Sequence, residues 1–199
     1  MSWIRTVPED EAGEPLRSLY ERVRGPDGRI DNVLRLHGLR PHTLEAHMAL
    51  YKAVLHHPDN RLPRWLLETV GVYASLLNAC AYCVEHHLAG LERLVGRERA
   101  TEIRRALETG SLEAAFQARE VAALRYARRL TRSPAALTRE DVEALREAGL
   151  DDGEILEVNQ VAAYFAYVNR TVQGLGATTE GDVLGLSPSS EHPEDWRHG

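Results

Sequence analysis

Apolar residues along this 199-residue chain recur at three- and four-residue intervals, and almost nowhere at every second position. That spacing is the period of a helix face, so the pattern predicts an all-α fold. It is clearest late in the chain, where Ile155, Val158, Ala162, Phe165, Val168, Val172 and Leu175 share one stripe and predict a core helix from about Asp151 to Leu175. Proline and glycine punctuate the rest. Pro8 opens a helix to about Arg24, closed by the turn-forming Gly25-Pro26-Asp27-Gly28, and Pro41 opens a second to about His56. A third begins near Pro63, since proline is tolerated at a first helical position. Leu88, Leu91 and Val95 mark a helix of roughly Ala81 to Val95 that stops near Gly96. Further helices are predicted at 97–108, 112–131 and 139–148, the last introduced by Thr138 and ended by Gly149.

Length and a 43% hydrophobic content suit one sizeable core, so residues 1–179 are expected to form a single helical bundle. Residues 180–199 turn to Gly, Ser, Pro, Asp and His, a composition poor in groups that offset the entropy of ordering. They predict a loosely held C-terminal tail with Trp196 as its one adhesive group.

No run approaches the 18 or so apolar residues of a membrane span, so no membrane association is expected. The start of the chain, MSWIRTVPEDEAGEP, lacks the pattern of a secretory signal, which predicts a cytoplasmic protein. A formal charge of −6 offers no positive field for a phosphate backbone, so nucleic acid is not an expected partner. The arginine-rich stretches 97–105 and 125–132 read as solvated helix faces.

The only two cysteines fall in Asn78-Ala79-Cys80-Ala81-Tyr82-Cys83-Val84-Glu85-His86-His87. Two cysteines cannot form the disulfide framework of a small secreted domain, so a pair this close asks for a redox or a metal explanation. At a helix start, unpaired N–H groups and the helix dipole stabilise a thiolate, and the second thiol is near enough to close a disulfide. His87 is one turn past Cys83 and can exchange a proton with it, which makes the Cys83 thiolate the better formed. Cys80, at the helix start, is expected to be the more accessible thiol. Glu68 precedes Cys80 by twelve residues, about 18 Å along a straight helix. If the chain turns near Asn78-Ala79, the two helices become antiparallel and the Glu68 carboxylate meets the His87 ring.

Glu68-x11-Cys80-x2-Cys83-x3-His87 resembles the active-site pattern of the alkyl hydroperoxidase D family, within the carboxymuconolactone decarboxylase superfamily. Asn-x-Cys-x-Tyr-Cys with the doubled His86-His87 is most similar to its peroxidase-related branch. Residues from about Ile30 to Val95 resemble the family's core hairpin, and those around Asp141 to Gly149 and Asn169-Arg170 its later helices. The resemblance implies a thiol peroxidase without a cofactor. Cys83 would attack a peroxide, Cys80 would resolve the sulfenic acid and face the donor, and a dithiol or protein electron donor would restore both. His87 and Glu68 would form the proton relay. The best-studied peroxidases of the family carry a histidine between the cysteines where this chain has Tyr82. The decarboxylase branch lacks the cysteine pair.

Two cysteines, a histidine and a carboxylate also make four possible zinc ligands, so a zinc-stabilised binding protein or a non-enzymatic redox sensor is the alternative. His37, His42, His47, His56 and His57 are expected to cap helices or face solvent, and His86 to be exposed or at a subunit contact. Tyr73 and Tyr82 suit core or rim packing, as Met48 and Trp65 suit core or interface. Asn169 and Arg170 are expected to tie helices or subunits together, because buried polar groups need partners. Trp65, Tyr164, Phe165 and Tyr167 exceed what one stripe per helix needs, which points to a homo-oligomer.

Overall fold

The computed structural model describes residues 2–188, 190, 192 and 195–199. Among them lie nine α-helices and no strand beyond one isolated bridge between Pro188 and His198. The helices are α1 (Leu16–Val23), α2 (Asn32–Arg35), α3 (Pro41–His56), α4 (Arg64–Leu77), α5 (Ala81–Val95), α6 (Arg97–Thr109), α7 (Ala118–Arg132), α8 (Arg139–Glu147) and α9 (Asp152–Leu175). None is long and apolar enough to cross a membrane.

Helix α4 is the hub, packed against α5, α7 and α9. Its sequence explains this: ten of its residues, Leu66 to Ser75 without interruption, are buried, so it carries apolar contact on every side. Close approach of α9 depends on Gly71, where an added Cβ would stand 2.2 Å from Cε2 of Phe165, a ring with no exposed surface. Only glycine leaves that ring its place beside α4.

The predicted break between the Glu68 and His87 helices is present, and its hydrogen bonds are those of a Schellman ending. Ala79 N–H donates to Leu76 O at 3.1 Å and Cys80 N–H to Ser75 O at 2.9 Å. Ala79 takes a left-handed φ of 55° that glycine would take more cheaply, by about 1 kcal/mol. The strain reverses the chain within three residues, and Cys80 then starts α5, its carbonyl accepting from Val84 N–H at 3.0 Å. At α9, Asp151 accepts from Glu154 N–H at 2.9 Å while Glu154 accepts from Asp151 N–H at 2.9 Å, so each end of the box satisfies the other.

Three expectations need correction. The first predicted helix is a single 3-10 turn, Glu9–Glu11, followed by α1, because Gly13 and Pro15 interrupt the pattern between them. The segment 112–131 is likewise a 3-10 turn, Leu112–Ala114, and then α7, which starts afresh where Gln117 N–H bonds the Glu120 carboxylate at 2.8 Å. The third concerns the tail. Its described residues lie on the helices, fastened by specific groups rather than by apolar area. Trp196 is buried beneath the Arg22 guanidinium, 3.8 Å from its ring centre. The buried Lys52 donates to the carbonyls of Ser190 and Asp195, Arg64 Nη2 to Ser187 Oγ at 2.5 Å, and the His198 and Asp31 side chains meet at 3.2 Å. Composition cannot show such anchors, since each depends on one partner far away in sequence.

Candidate functional site

Cys80 and Cys83 sit at the first turn of α5 with their sulfurs 2.9 Å apart, unbonded, and both are buried. The exposures, 1% for Cys80 and 3% for Cys83, overturn the expectation that Cys80 is the accessible thiol. It is Cys83 that lines a cavity, together with Glu68, His87, Tyr51, Tyr82 and His47.

The sulfurs also share charge differently from the expectation. A hydrogen bond from the Cys83 thiol is the largest influence holding the Cys80 thiol below its ordinary pKa, opposed by burial and helped by the Cys83 backbone N–H and the Gln173 and Asn169 side chains. Its bond to Cys80, then burial, then the negative charge on Cys80 push the Cys83 thiol well up. Of the two sulfurs, Cys80 is therefore the one whose thiolate the site favours, and Cys83 the one that holds its proton more tightly. The contact between the two sulfurs, more than the histidine one turn on, sets this order.

Across the antiparallel pair, Glu68 Oε2 lies 2.8 Å from His87 Nδ1, with the carboxylate buried. Nδ1 of the ring is thus the atom turned to the carboxylate, and both His87 and Glu68 line the cavity. The His87 and Phe165 rings meet edge to face, centroids 4.6 Å apart, and Tyr51 stands 6.1 Å away at 80°. The imidazole is thus fixed by a hydrogen bond and by two aromatic neighbours. All four residues expected from spacing, Glu68, Cys80, Cys83 and His87, come together here.

Several side chains that the sequence leaves inconspicuous surround them. Asn169, with no exposed surface, donates to Ser75 Oγ at 3.0 Å and accepts from Asn78 Nδ2 at 2.9 Å, so it ties α9 to α4 as expected and also borders both sulfurs. Arg170 is exposed and donates within its own helix, to Ala166 O at 2.5 Å, so it does not tie helices together among the described residues. Tyr82 bonds the Asp182 carboxylate at 2.6 Å and stacks on His86, whose Nε2 reaches the same carboxylate at 3.1 Å. His86 is therefore buried, not exposed.

The histidines before the motif divide. His42 is exposed, but His47 and His37 are buried with rings 5.0 Å apart, and His47 lies beside Tyr51 and Tyr164. Burial, with the charges of His37 and His198 adding to it, lowers the His47 pKa to about 3, so this ring is neutral. Burial pushes His56 well down and His37 down. Among the described residues no group of three or more His, Cys, Asp or Glu side chains is placed to hold a metal ion, which leaves the zinc alternative without a ligand set there. Of the aromatic residues expected at a subunit contact, Tyr164 and Phe165 belong to the core, Trp65 is half-buried and Tyr167 is 43% exposed.

Comparison with known proteins bears on this constellation. A family model, the carboxymuconolactone decarboxylase family, matches residues 41–129, which run from the start of α3 into α7 and include all four residues. The structure is similar to an alkylhydroperoxidase AhpD core, a peroxidase-related protein from Ralstonia eutropha JMP134, with a TM-score of 0.77, 25% identity, and 92% of this chain and 96% of that one covered. It is similar in fold to the debrominase Bmp8, in a cysteine-to-alanine form bound to 2,3,4-tribromopyrrole, with a TM-score of 0.68, 20% identity, and 91% and 95% covered. In sequence it is 27% identical over 177 residues to Sestrin-2 of Mus musculus, covering 83% of this chain and 33% of that protein. The chain thus spans about a third of the length of that relative.

Proposed function

Because the chain belongs to the alkyl hydroperoxidase D-like carboxymuconolactone decarboxylase superfamily, we propose that it is a thiol-dependent peroxidase that cycles between a Cys80–Cys83 dithiol and the disulfide. One observation carries the reading: two reduced sulfurs 2.9 Å apart, one on a cavity that the Glu68–His87 pair also lines. A zinc knuckle has no need of the cavity, and a redox sensor has no need of a base fixed beside it.

A peroxide entering the cavity meets Cys83. His87 Nε2 takes the thiol proton, and the Glu68 carboxylate offsets the positive charge the ring acquires. The Cys83 sulfur attacks the distal peroxide oxygen, the O–O bond breaks, and the departing alkoxide or hydroxide recovers the proton from His87. Cys83 is then a sulfenic acid. The Cys80 sulfur, in contact with it, attacks as the thiolate and closes the disulfide, and the departing hydroxide takes up the proton Cys80 gave up and leaves as water. An external dithiol returns two electrons and two protons. The lowered pKa of the Cys80 thiol favours this step, because the thiolate is the form that attacks.

The reading is tested by peroxide consumption with a panel of dithiol donors. His87→Ala is expected to slow Cys83 oxidation by about 10² to 10⁴, the usual worth of a positioned base, with partial rescue by added imidazole. Glu68→Gln, acting through the ring, should cost about tenfold and displace the pH–rate profile, which a purely structural loss would not do. A His87→Ala enzyme as fast as the parent would remove the relay from the mechanism.

Subunit association is proposed on the same footing. Leu156, Ala163 and Tyr167 are exposed along one stripe of α9, with Gln160 between the first two, and Ala46, Ala49, Leu50 and Ala53 are exposed on the neighbouring α3. A second copy of the chain would cover this apolar face by two-fold pairing. Light scattering should give at least twice the 22.3 kDa chain mass, and Leu50→Glu with Tyr167→Glu should return the monomer.

A further inference from the structure

The cavity at Cys83 has a roof that comes from the far end of the chain. Gly185, Leu186, Ser187 and His198 line it opposite the helices. The roof is anchored before and after Gly185 in the chain. Before it, Asp182 accepts from Asn32 N–H at 3.0 Å and from Tyr82 Oη at 2.6 Å, with the His86 ring at 3.1 Å. After it, His198 meets Asp31, the neighbour of Asn32, at 3.2 Å, and Gly199 N–H closes the loop onto Ser187 O at 3.0 Å. Between these anchors Gly185 lies directly on the backbone of α5. A Cβ there would stand 2.7 Å from the Ala89 carbonyl carbon and 2.8 Å from Gly90 N, at a φ of 78° that side chains rarely adopt. Helix backbone cannot yield as a side-chain tip can, so the roof sits this low only because residue 185 is glycine.

The space left beneath is about 50 Å³. A dry cavity that takes benzene has about 150 Å³, about three times as much. We propose that this C-terminal roof, through Gly185 and Leu186, sets the substrate size of the cysteine site, admitting hydrogen peroxide and the smallest alkyl hydroperoxides and excluding peroxides that carry a ring or a long chain. The substrate part of this inference rests on the peroxidase reading. The steric part does not.

Two experiments separate them. In a Cys80→Ser background only Cys83 can react, and its modification by methyl methanethiosulfonate and by fluorescein maleimide is followed by intact mass. Leu186→Ala, which removes roof volume, and Gly185→Ala, which lifts the roof, should each raise the maleimide rate relative to the small reagent by about tenfold, the scale on which a pocket discriminates one or two carbon groups. Circular dichroism checks that both variants fold, and Leu186→Ala keeps the test open should Gly185→Ala not. With both cysteines present, the same substitutions should raise the ratio of kcat/KM for cumene hydroperoxide over hydrogen peroxide by about tenfold. Reagent ratios that do not move in a folded Leu186→Ala protein overturn the roof. Peroxide turnover with an unmoved cumene to hydrogen peroxide ratio overturns it as well. A shift in reagent ratio with no peroxide consumed by any form supports the roof and sinks the peroxidase reading instead.

Discussion

Replacing Cys83 by serine is expected to abolish peroxide consumption, whereas replacing Cys80 by serine should stop turnover but leave Cys83 able to form a sulfenic acid once. The asymmetry follows from placement. Cys83 lines the cavity and Cys80 does not, so only Cys83 can meet the peroxide. A hydroxyl at residue 83 has no comparable nucleophilicity, and the loss should reach the detection limit, a fall of about 10³ or more. The Cys80→Ser variant carries a second expectation. In the parent the Cys83 thiol is pushed up by its hydrogen bond to Cys80, by burial and by the charge on Cys80. Serine is uncharged at any accessible pH, so the first and third influences largely go. The Cys83 thiol should titrate lower, and its single oxidation at neutral pH should be at least as fast as in the parent. A sulfenic-acid probe with peptide mapping reads this directly. Label on Cys80 in the Cys83→Ser protein, with none on Cys83 in the converse variant, would exchange the two roles.

The second large effect is on stability in acid. His47 is held at a pKa of about 3 by burial, then by the charges of His37 and His198, against an ordinary value of 6.5. Below pH 6.5 the unfolded chain takes up a proton that the folded chain refuses, so stability is complete above that value and falls as pH drops towards 3. The full loss from this residue is of the order of 5 kcal/mol, and about half of it should be present at pH 4.5. His56 and His37, also lowered, act in the same direction. Urea unfolding at pH 7 and pH 4.5 measures the fall. His47→Gln does not titrate there and keeps a group able to meet Tyr164 Oη, which lies 3.4 Å from His47 Nε2. Its fall should be smaller by about 2 to 3 kcal/mol. An identical acid limb in the two proteins would mean that His47 is not buried as a neutral ring.

The helices that build the site could be read from the chain because their limits coincide with Pro41, Pro63 and Gly96, and because the interval from Glu68 to His87 makes chemical sense only if the chain reverses between them. The turn itself uses Ala79 at a left-handed φ, for which the sequence holds no signal, since alanine is the residue least expected there. The surroundings of the cysteines were less legible. Histidines 37, 42 and 47 are five apart, a spacing that disfavours a shared face, yet His37 precedes α3 and reaches His47 from outside the helix. The readable clue was His47 and Tyr51, four apart on α3 and on one side of it. Asn169 stood out as an amide in an apolar stripe, which announced a buried partner without saying that the partners included sulfur. The roof lay beyond sequence reasoning, because Asp182, Gly185 and His198 owe their places to Tyr82, Gly90 and Asp31, and no periodicity links such pairs.

The most direct test is a single turnover without donor. Fully reduced protein is mixed with one equivalent of hydrogen peroxide, and residual peroxide, free thiols and peptide masses are measured together. The account predicts one peroxide consumed per chain, two thiols lost per chain, and a single new species, the Cys80–Cys83 disulfide, two mass units lighter than the dithiol. Peroxide left unconsumed while both thiols remain free would contradict it.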